Sequence, residues 1–251
     1  MGTFETRYRK RGWMQVRKTD MIRDLQAQIM RMEGFKSQGD GWSKTSSRTF
    51  PWRSFPTGAV HEFLCRGSED VSPTAGFIAG LLAHLTGRNG VILWISASRR
   101  LFPPGLAAFG IRPECFIFLD AACERDVAWA MEEALKCPAV AAVVGELQDL
   151  DFTSSRRLQL AVEQSRVTGF VIRQRPRAIT TTACVSRWRI TSLPSVADDE
   201  LPGLGFPVWN IELLRMRNGI PGSWAVRWVN EEFVEAELQP TDTERKERKA
   251  V

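Results

Sequence analysis

The sequence predicts an α/β protein built on an open, mostly parallel sheet with helices on its faces. Two observations predict this class. Short apolar runs alternate with helical patterns from residue 56 to about residue 172, and the runs at 91–96 and 138–144 are apolar without interruption, apart from Ser96 at the end of the first. Uninterrupted runs are typical of strands that are buried on both faces, and strands that alternate with helices pair in parallel through right-handed crossovers.

The 251 residues divide into a core and four flanking segments. Arginine and lysine are frequent in the first 18 residues, and Ser, Gly, Lys and Thr dominate the stretch before the core, as in disordered arms and linkers. The predicted segments are a basic disordered arm at 1–18, an N-terminal helix at 19–34, a linker at 35–55, the α/β core at 56–236 and a charged disordered tail at 237–251.

The segment at 19–34 has the pattern of a separate amphipathic helix. Thr19 or Asp20 can cap its start, and a glycine at position 34 can end it. Its apolar face carries residues at three- and four-residue spacing, namely Ile22, Leu25, Ile29 and Met32. Because a linker separates this helix from the core, the apolar face packs either on the chain's own core or on a neighbouring protein. These four residues are therefore the predicted partner-binding set.

Within the core, each predicted helix repeats apolar residues at helical spacing, and each predicted strand is a short apolar run. The strands are predicted at 59–64, 91–96, 115–119, 138–144 and 170–172, and the helices at 74–86, 125–137 and 153–168. A short helix follows Pro103 and Pro104 and ends near Gly110.

The last third of the core changes to antiparallel strands. Between 184 and 190 the sequence alternates, with Ser186, Trp188 and Ile190 on one side and Arg187 and Arg189 on the other. The segments 211–217 and 223–229 flank a turn-rich Asn-Gly-Ile-Pro-Gly stretch, which predicts a C-terminal antiparallel hairpin.

The first strand, loop and helix of the core have the layout of a phosphate-binding loop without its working residues. Such a loop needs Gly-x4-Gly-Lys-Ser/Thr, because backbone N–H groups wrap the phosphates, the lysine reaches their oxygens and the hydroxyl holds magnesium. From Gly67 to His84 the sequence contains no lysine or arginine. The degenerate loop retains Gly67, Ser72, Thr74 and Gly76. We therefore expect no cofactor and no ATPase activity.

Charge and composition narrow the kinds of partner, location and metal site that the chain can have. The net charge of +5 and the pI of about 9.2 mildly favour an acidic partner. No run of 18 apolar residues and no secretory h-region is present, so we expect neither a membrane span nor a signal peptide. The five cysteines form no Cys-x-x-Cys pair and the two histidines complete no ligand set, so we expect reduced thiols and no metal site.

Eight strings in the core, taken in this order and at this spacing, carry a resemblance to a known family. They are Phe-Pro-Thr-Gly-Ala-Val-His-Glu-Phe at 55–63, Leu-Trp-Ile-Ser at 93–96, Leu-Phe-Pro-Pro-Gly-Leu at 101–106, Trp-Ala-Met-Glu-Glu-Ala-Leu at 129–135, Ala-Ala-Val-Val-Gly-Glu-Leu at 141–147, Thr-Ser-Ser-Arg-Arg-Leu-Gln-Leu at 153–160, Ser-Arg-Trp-Arg at 186–189 and Gly-Ile-Pro-Gly-Ser-Trp at 219–224. Over roughly residues 19–34 and 56–230 the chain resembles the ImuA family, RecA-like proteins of bacterial DNA-damage mutagenesis.

The resemblance implies a RecA-like core that has lost its working residues. The acidic residue that activates water in RecA falls at or near Ser98, and the one that holds the water shell of magnesium falls at Gly145, with Glu146 one position late. One step along a strand turns a side chain to the opposite face, so Glu146 can take this role only if it lies past the strand end. Gln174 stands where RecA has a phosphate-sensing glutamine, and a surface position is the preferred interpretation.

Three arginines follow in the region where RecA has a DNA-contacting loop. Arg173, Arg175 and Arg177 alternate around a proline, and alternation in an extended segment puts them on one side. Clustered arginines neutralise phosphates, so these residues are the candidates for a weak DNA contact. An exposed basic loop without a ligand is the other interpretation.

By this resemblance we expect a non-catalytic adaptor of the SOS response that supports error-prone translesion DNA synthesis, located in the cytoplasm at the nucleoid. The implied partners are an ImuB-like relative of Y-family polymerases, an error-prone DNA polymerase and RecA. The N-terminal helix also implies self-association. Two alternatives remain open, a SulA-like inhibitor of cell division and a divergent active ATPase.

Overall fold

A computed structural model of the chain describes residues 36–37, 55–86, 90–196, 206–217 and 219–236. The predicted arm, N-terminal helix and tail lie outside these residues, so the segment boundaries remain predictions. None of the described helices is long and apolar enough to cross a membrane.

The described strands and helices have the following bounds. The strands are β1 (Lys36–Ser37), β2 (Pro56–Thr57), β3 (Val60–Cys65), β4 (Val91–Ser96), β5 (Phe116–Asp120), β6 (Val140–Leu147), β7 (Thr168–Gln174), β8 (Ser186–Val196), β9 (Phe206–Met216), β10 (Gly222–Val229) and β11 (Glu232–Glu235). The helices are α1 (Val71–Thr86), α2 (Glu124–Leu135) and α3 (Phe152–Ser165), with 3-10 helices at Pro103–Phe109 and Pro113–Cys115.

Nine of these strands form one sheet in the order β11-β10-β9-β8-β3-β7-β6-β4-β5. The six strands from β8 to β5 are parallel to one another. β9, β10 and β11 continue the sheet in antiparallel pairing, and the short β1 pairs separately with β2. The predicted α/β class, with a mostly parallel sheet and a C-terminal antiparallel hairpin, is confirmed.

Each face of the sheet has its own core. On one face α1 packs under aromatic side chains of β3, β7 and β8 and of the antiparallel strands, among them Phe63, Phe170, Trp188, Trp209 and Trp228. On the other face α2 and α3 cover β3, β4, β6 and β7 with smaller aliphatic side chains, and no residue of β9, β10 or β11 belongs to that cluster. The antiparallel strands therefore bury one face only, among the described residues.

Two element ends differ from the prediction, and one edge strand is more exposed than its neighbours. The strand β6 continues to Leu147, three residues beyond the predicted end. The helix α3 ends at Ser165, because Arg166 adopts a left-handed φ of 65° and its N–H bonds to the carbonyl of Val162. Glycine is the usual residue in that conformation, so the arginine gave no stop signal. The strand β5 lies at the sheet edge, with Ile117 and its two successors exposed.

Candidate functional site

The loop after β3 is closed on itself by a carboxylate. Asp70 is almost fully buried, and its Oδ2 accepts hydrogen bonds from the backbone N–H groups of Arg66 (2.8 Å) and Gly67 (3.3 Å). Only five residues, 66–70, separate β3 from α1. Backbone N–H groups at this position are the ones that wrap phosphate in a working loop. Here an internal acid occupies that position.

The other remnants of the degenerate loop lie in α1, and two of them, Thr74 and Gly76, pack inside the protein. The hydroxyl of Thr74 is buried and accepts from the thiol of Cys65 at 3.4 Å. Burial raises the pKa of Cys65 to about 12, so this thiol stays neutral. A Cβ at Gly76 would stand 2.9 Å from the ring of Trp209. Ser72 is exposed in the first turn of α1.

A second carboxylate, Glu146, gathers four donors at the carboxyl ends of β4, β6 and β7. Its Oε1 accepts from Trp94 Nε1 at 2.8 Å. Its Oε2 accepts from the hydroxyls of Ser96 (2.9 Å) and Ser98 (3.1 Å) and from Nε2 of Gln174 (2.8 Å). The structure thus brings together three positions singled out by the resemblance, Ser98, Glu146 and Gln174.

Glu146 could take the magnesium role only if it lay past the end of its strand. It lies within β6, whose last residue is Leu147, so it does not replace the acid of RecA. Gly145 points to the opposite face, where a Cβ would stand 2.7 Å from Met131 Sδ, so the RecA position has no room for an acid. Gln174 also departs from expectation. It is half-buried and bonded to Glu146 rather than a surface residue.

The chemistry available to Glu146 is limited by its surroundings. All four of its hydrogen-bond partners are neutral groups, and neither a lysine nor an arginine appears among them in the described part of the chain. The described residues contain no group of three or more His, Cys, Asp or Glu side chains that could hold a metal ion. Phosphoryl transfer depends on metal ions and cationic side chains that neutralise the developing charge.

The three candidate DNA-binding arginines are not equivalent. Arg173 is 1% exposed, and its Nη1 donates to the fully buried Glu62 at 2.8 Å. Its Nη2 donates to the carbonyl of Ala178 and lies 3.6 Å from Asp149. The expectation of three arginines on one exposed side therefore fails at Arg173, because the buried guanidinium is committed to internal partners. Arg175 and Arg177 are exposed, and DNA contact at these two residues stays a prediction.

Glu62 holds together the segment that crosses from β7 to β8. Besides Arg173, it accepts from Arg187 Nε at 2.8 Å and from the hydroxyl of Thr182 at 2.9 Å. Arg187 in turn donates to the carbonyl of Thr180. A single carboxylate is thus shared by two guanidinium groups and a hydroxyl, and this fixes the extended crossover against the sheet.

Sequence reasoning missed Asp70 and Glu62. Asp70 stands directly before the first residue of α1, where an acidic residue commonly caps the helix, but its Oδ2 bonds the N–H groups of the preceding Arg66 and Gly67. Its position therefore signalled a helix start and not the closed loop. Glu62 had no such signal, because its three partners lie more than a hundred residues away in the chain. The predicted partner-binding residues Ile22, Leu25, Ile29 and Met32 lie outside the described residues.

Comparison with known proteins gives two sequence relatives. Each is named Protein ImuA, from two strains of Caulobacter vibrioides, and each is 36% identical over 190 residues, which covers 71% of this chain and 78% of the relative. No protein-family model matches the chain. Among solved structures, SulA from Pseudomonas aeruginosa is similar with a TM-score of 0.40 and 20% identity, over 46% of this chain and 97% of that one. This last similarity is too distant to bear on function.

Proposed function

The chain belongs to the ImuA family, and from that membership we propose that it is a non-catalytic, RecA-like adaptor of the SOS response. In this role it supports error-prone translesion DNA synthesis by bringing an ImuB-like protein together with an error-prone DNA polymerase, with RecA as a further partner. The adaptor binds proteins and turns over no nucleotide.

The closed loop at Asp70 is the observation that carries the proposal. A phosphate bound at the N-terminus of α1 would need the N–H groups of Arg66 and Gly67, which already donate to the Asp70 carboxylate. It would also be repelled by that carboxylate, because two anions close together in a poorly hydrated site raise each other's energy.

The hydrogen bonds of Glu146 also support the proposal that the protein turns over no nucleotide. In a working nucleotide site the acid at this sheet edge serves magnesium and water, whereas Glu146 has every oxygen bonded by neutral donors. Its contacts tie β4, β6 and β7 together at their carboxyl ends. We propose that the former catalytic edge has become structural, and that selection on this chain acts through its binding surfaces.

Nucleotide binding tests the non-catalytic half of the proposal. We expect no change in the melting temperature of the full chain with millimolar Mg-ATP, and no phosphate release, since a ligand that binds only the native state must stabilise it. The variant Asp70→Ala removes the competing carboxylate, and Glu69→Ala is its exposed neighbouring control. A wild-type protein that is stabilised by several degrees, or that hydrolyses ATP in a manner abolished by Glu146→Gln, would contradict the proposal.

Co-elution in size-exclusion chromatography tests the adaptor half. The full chain and a version lacking residues 1–34 are mixed separately with the ImuB-like protein and RecA of the same host, without nucleotide. A complex that needs residues 1–34 supports binding through the N-terminal helix, and one that does not supports binding through the core. The absence of a complex with either protein, at micromolar concentration and low salt, would overturn the adaptor role. Filamentous cells on overexpression would then favour the SulA-like alternative.

A further inference from the structure

The strand β5 has an edge that the described residues leave open. It pairs with β4 on one side, and no described strand lies on its other side. Three consecutive apolar side chains along it are exposed, namely Ile117 (53%), Phe118 (42%) and Leu119 (40%). Since successive side chains of a strand point to opposite faces, both faces of this edge are apolar. A strand with two apolar faces is typical of the interior of a sheet and not of its edge.

The opposite edge of the same sheet has a different composition. β11 has only four residues, and two of them are exposed glutamates, Glu232 and Glu235. Short length and charged side chains prevent an edge strand from pairing with another chain. β5 contains neither lysine nor proline, and it pairs with β4 residue by residue without a bulge. Its one charged residue, Asp120, stands at its last position and is paired with Arg99 at 2.9 Å.

The backbone groups on the open side of β5 belong to alternate residues. The N–H of Ala121, directly after β5, donates to the carbonyl of Ser96 on β4 at 3.0 Å. In a parallel ladder the N–H and C=O groups of one residue point to the same side, and the side alternates along the strand. The odd-numbered residues of β5 therefore turn these groups to β4, whereas Phe116, Phe118 and Asp120 turn them outward.

An antiparallel second copy of β5 fits this edge around a two-fold axis at Phe118. When Phe118 stands opposite its own equivalent, Phe116 stands opposite Asp120 of the other copy, and Asp120 opposite Phe116. Each of these pairs exchanges two backbone hydrogen bonds, so about six bonds form in all. A shift of the axis to Ile117 or Leu119 leaves one outward residue of each strand unpaired within β5. The outward groups therefore favour the register at Phe118.

The side chains of β5 also complement their own copy. On one face the rings of Phe116 and Phe118 stack at a centroid distance of 5.5 Å and an interplanar angle of 11°. Across the axis this stack continues into the same two rings of the second copy. On the other face Ile117 of each copy stands opposite Leu119 of the other. Aromatic and aliphatic cross-strand pairs stabilise antiparallel pairing.

We propose that β5 joins two copies of this chain into a symmetric dimer, with one sheet continuous through both. Because each copy contributes the same strand, the contact is isologous and closes at two molecules. Stable complexes bury about 800 Å² per partner, and a single strand of five residues supplies less. The dimer should therefore be weak, with a dissociation constant of about 10–100 µM. This contact does not depend on the N-terminal helix or on the adaptor role.

Variants of like charge test the contact. The lysine variant combines Ile117→Lys with Leu119→Lys, and the glutamate variant combines Ile117→Glu with Leu119→Glu. In a dimer of either variant like charges stand directly opposite each other, so each variant should associate about tenfold more weakly or worse. Sedimentation equilibrium between about 5 and 200 µM measures the mass, which for the wild type should rise from 28.3 kDa towards twice that value.

An equimolar mixture of the two variants gives the decisive result. The lysines of one copy then stand opposite the glutamates of the other, so the mixture should dimerise at least as strongly as the wild type at low salt. Recovery in the mixture also shows that both variants are folded. As a matched control, Leu160→Lys with Val234→Lys changes two exposed apolar positions on α3 and β11 and should associate like the wild type.

Cysteine cross-linking tests the register. The background variant Cys123→Ser with Cys137→Ser removes the two exposed thiols. In that background Phe118→Cys stands opposite itself, with Cα atoms about 5.5 Å apart, a distance that a disulfide spans. Asp120→Cys stands more than about 13 Å from its own equivalent. Mild oxidation should therefore link two chains through Phe118→Cys and not through Asp120→Cys.

Four results would overturn the proposal. They are a monomeric wild type at about 200 µM, a lysine variant that dimerises as strongly as the wild type, a mixture that stays monomeric, and a wild-type mass that grows beyond the dimer with concentration. A dimer that disappears on deletion of residues 1–34, while the lysine variant still dimerises, would assign self-association to the N-terminal helix. A monomeric wild type whose complex with the ImuB-like protein is lost in the lysine variant would assign β5 to that partner and not to a second copy.

Discussion

At the scale of single residues, His61 shows how a buried polar side chain is satisfied by one near and one distant partner. His61 is fully buried on β3 and contacts the carbonyl of Pro56 through Nε2 at 2.8 Å and the hydroxyl of Ser186 through Nδ1 at 2.6 Å. The hydroxyl of Ser186 also accepts from Trp188 Nε1. A serine next to a histidine suggests a nucleophile, but both residues are 0% exposed, so the pair is structural.

The first prediction concerns acid stability. Burial lowers the pKa of His61 from 6.5 to about 3, against a smaller opposing effect of the Pro56 carbonyl. Between these values the unfolded state binds the proton and the folded state does not, so stability falls as the pH falls. From pH 6.5 to pH 5 the loss should be about 2 kcal/mol, as measured by urea unfolding. The variant His61→Gln should lose this slope, and His84→Gln should keep it. An unchanged slope in His61→Gln would exclude this histidine as its source.

The second prediction concerns the buried carboxylate. Glu62→Gln leaves the buried guanidinium of Arg173 with only the exposed Asp149, 3.6 Å away, as a counter-charge, and removal of one partner from a buried pair costs about 3–5 kcal/mol. Glu212→Gln breaks the pair with Arg189 at 2.6 Å, where both side chains are about a quarter exposed, and should cost about 1 kcal/mol. Urea denaturation of both variants measures the difference. Equal losses would show that the Glu62 cluster is no more than a surface ion pair.

At the scale of elements, α1 shows that helix propensity yields to packing. Gly80 lies in the middle of this 16-residue helix, where glycine is unfavourable in isolation. The strands β10 and β11 explain it, because a Cβ on Gly80 would stand 2.4 Å from the ring of Phe233 and 2.9 Å from that of Trp228. The helix can approach the antiparallel strands closely only without a side chain at this position.

The third prediction follows from this contact. In an exposed helix Gly→Ala stabilises by about 1 kcal/mol, whereas Gly80→Ala should destabilise by about 1–3 kcal/mol through overpacking. Ser72→Ala, at an exposed position of the same helix, should change stability by no more than about 0.5 kcal/mol. Thermal unfolding followed by circular dichroism decides the sign. A neutral or stabilising Gly80→Ala would mean that the rings of Phe233 and Trp228 move aside at no cost.

At the scale of the whole molecule, the antiparallel strands contribute side chains to the main hydrophobic core. Trp209, Trp224, Trp228 and Phe233 belong to the same buried cluster as Phe63 and Phe77. The parallel strands alone would leave α1 open to water along the side that these rings cover. The sheet is therefore expected to unfold as one unit.

The fourth prediction uses truncation to test whether the sheet unfolds as one cooperative unit. A chain that ends at residue 205 loses β9, β10 and β11 and should fail to unfold cooperatively, because the apolar face of α1 is exposed. A chain that ends at residue 236 keeps all described strands and should melt within about 2 °C of the full chain. Scanning calorimetry measures both. Cooperative unfolding of the shorter chain would show that the parallel strands are an independent domain.

The local pattern of apolar and polar residues was enough to predict much of the fold from the sequence alone. Apolar periodicity predicted the parallel strands, the helices and the hairpin, because a side chain's face follows from its position along its own element. The family resemblance singled out Ser98, Glu146 and Gln174, and the missing lysine between Gly67 and His84 identified the loop as degenerate.

Tertiary structure alone decided what stands opposite each side chain. It buried Arg173 against Glu62 while leaving Arg175 exposed, although alternation had made the two equivalent. It turned Asp70 onto the backbone N–H groups of the loop. Such pairings join residues far apart in the chain, and periodicity within one element carries no information about a partner on another.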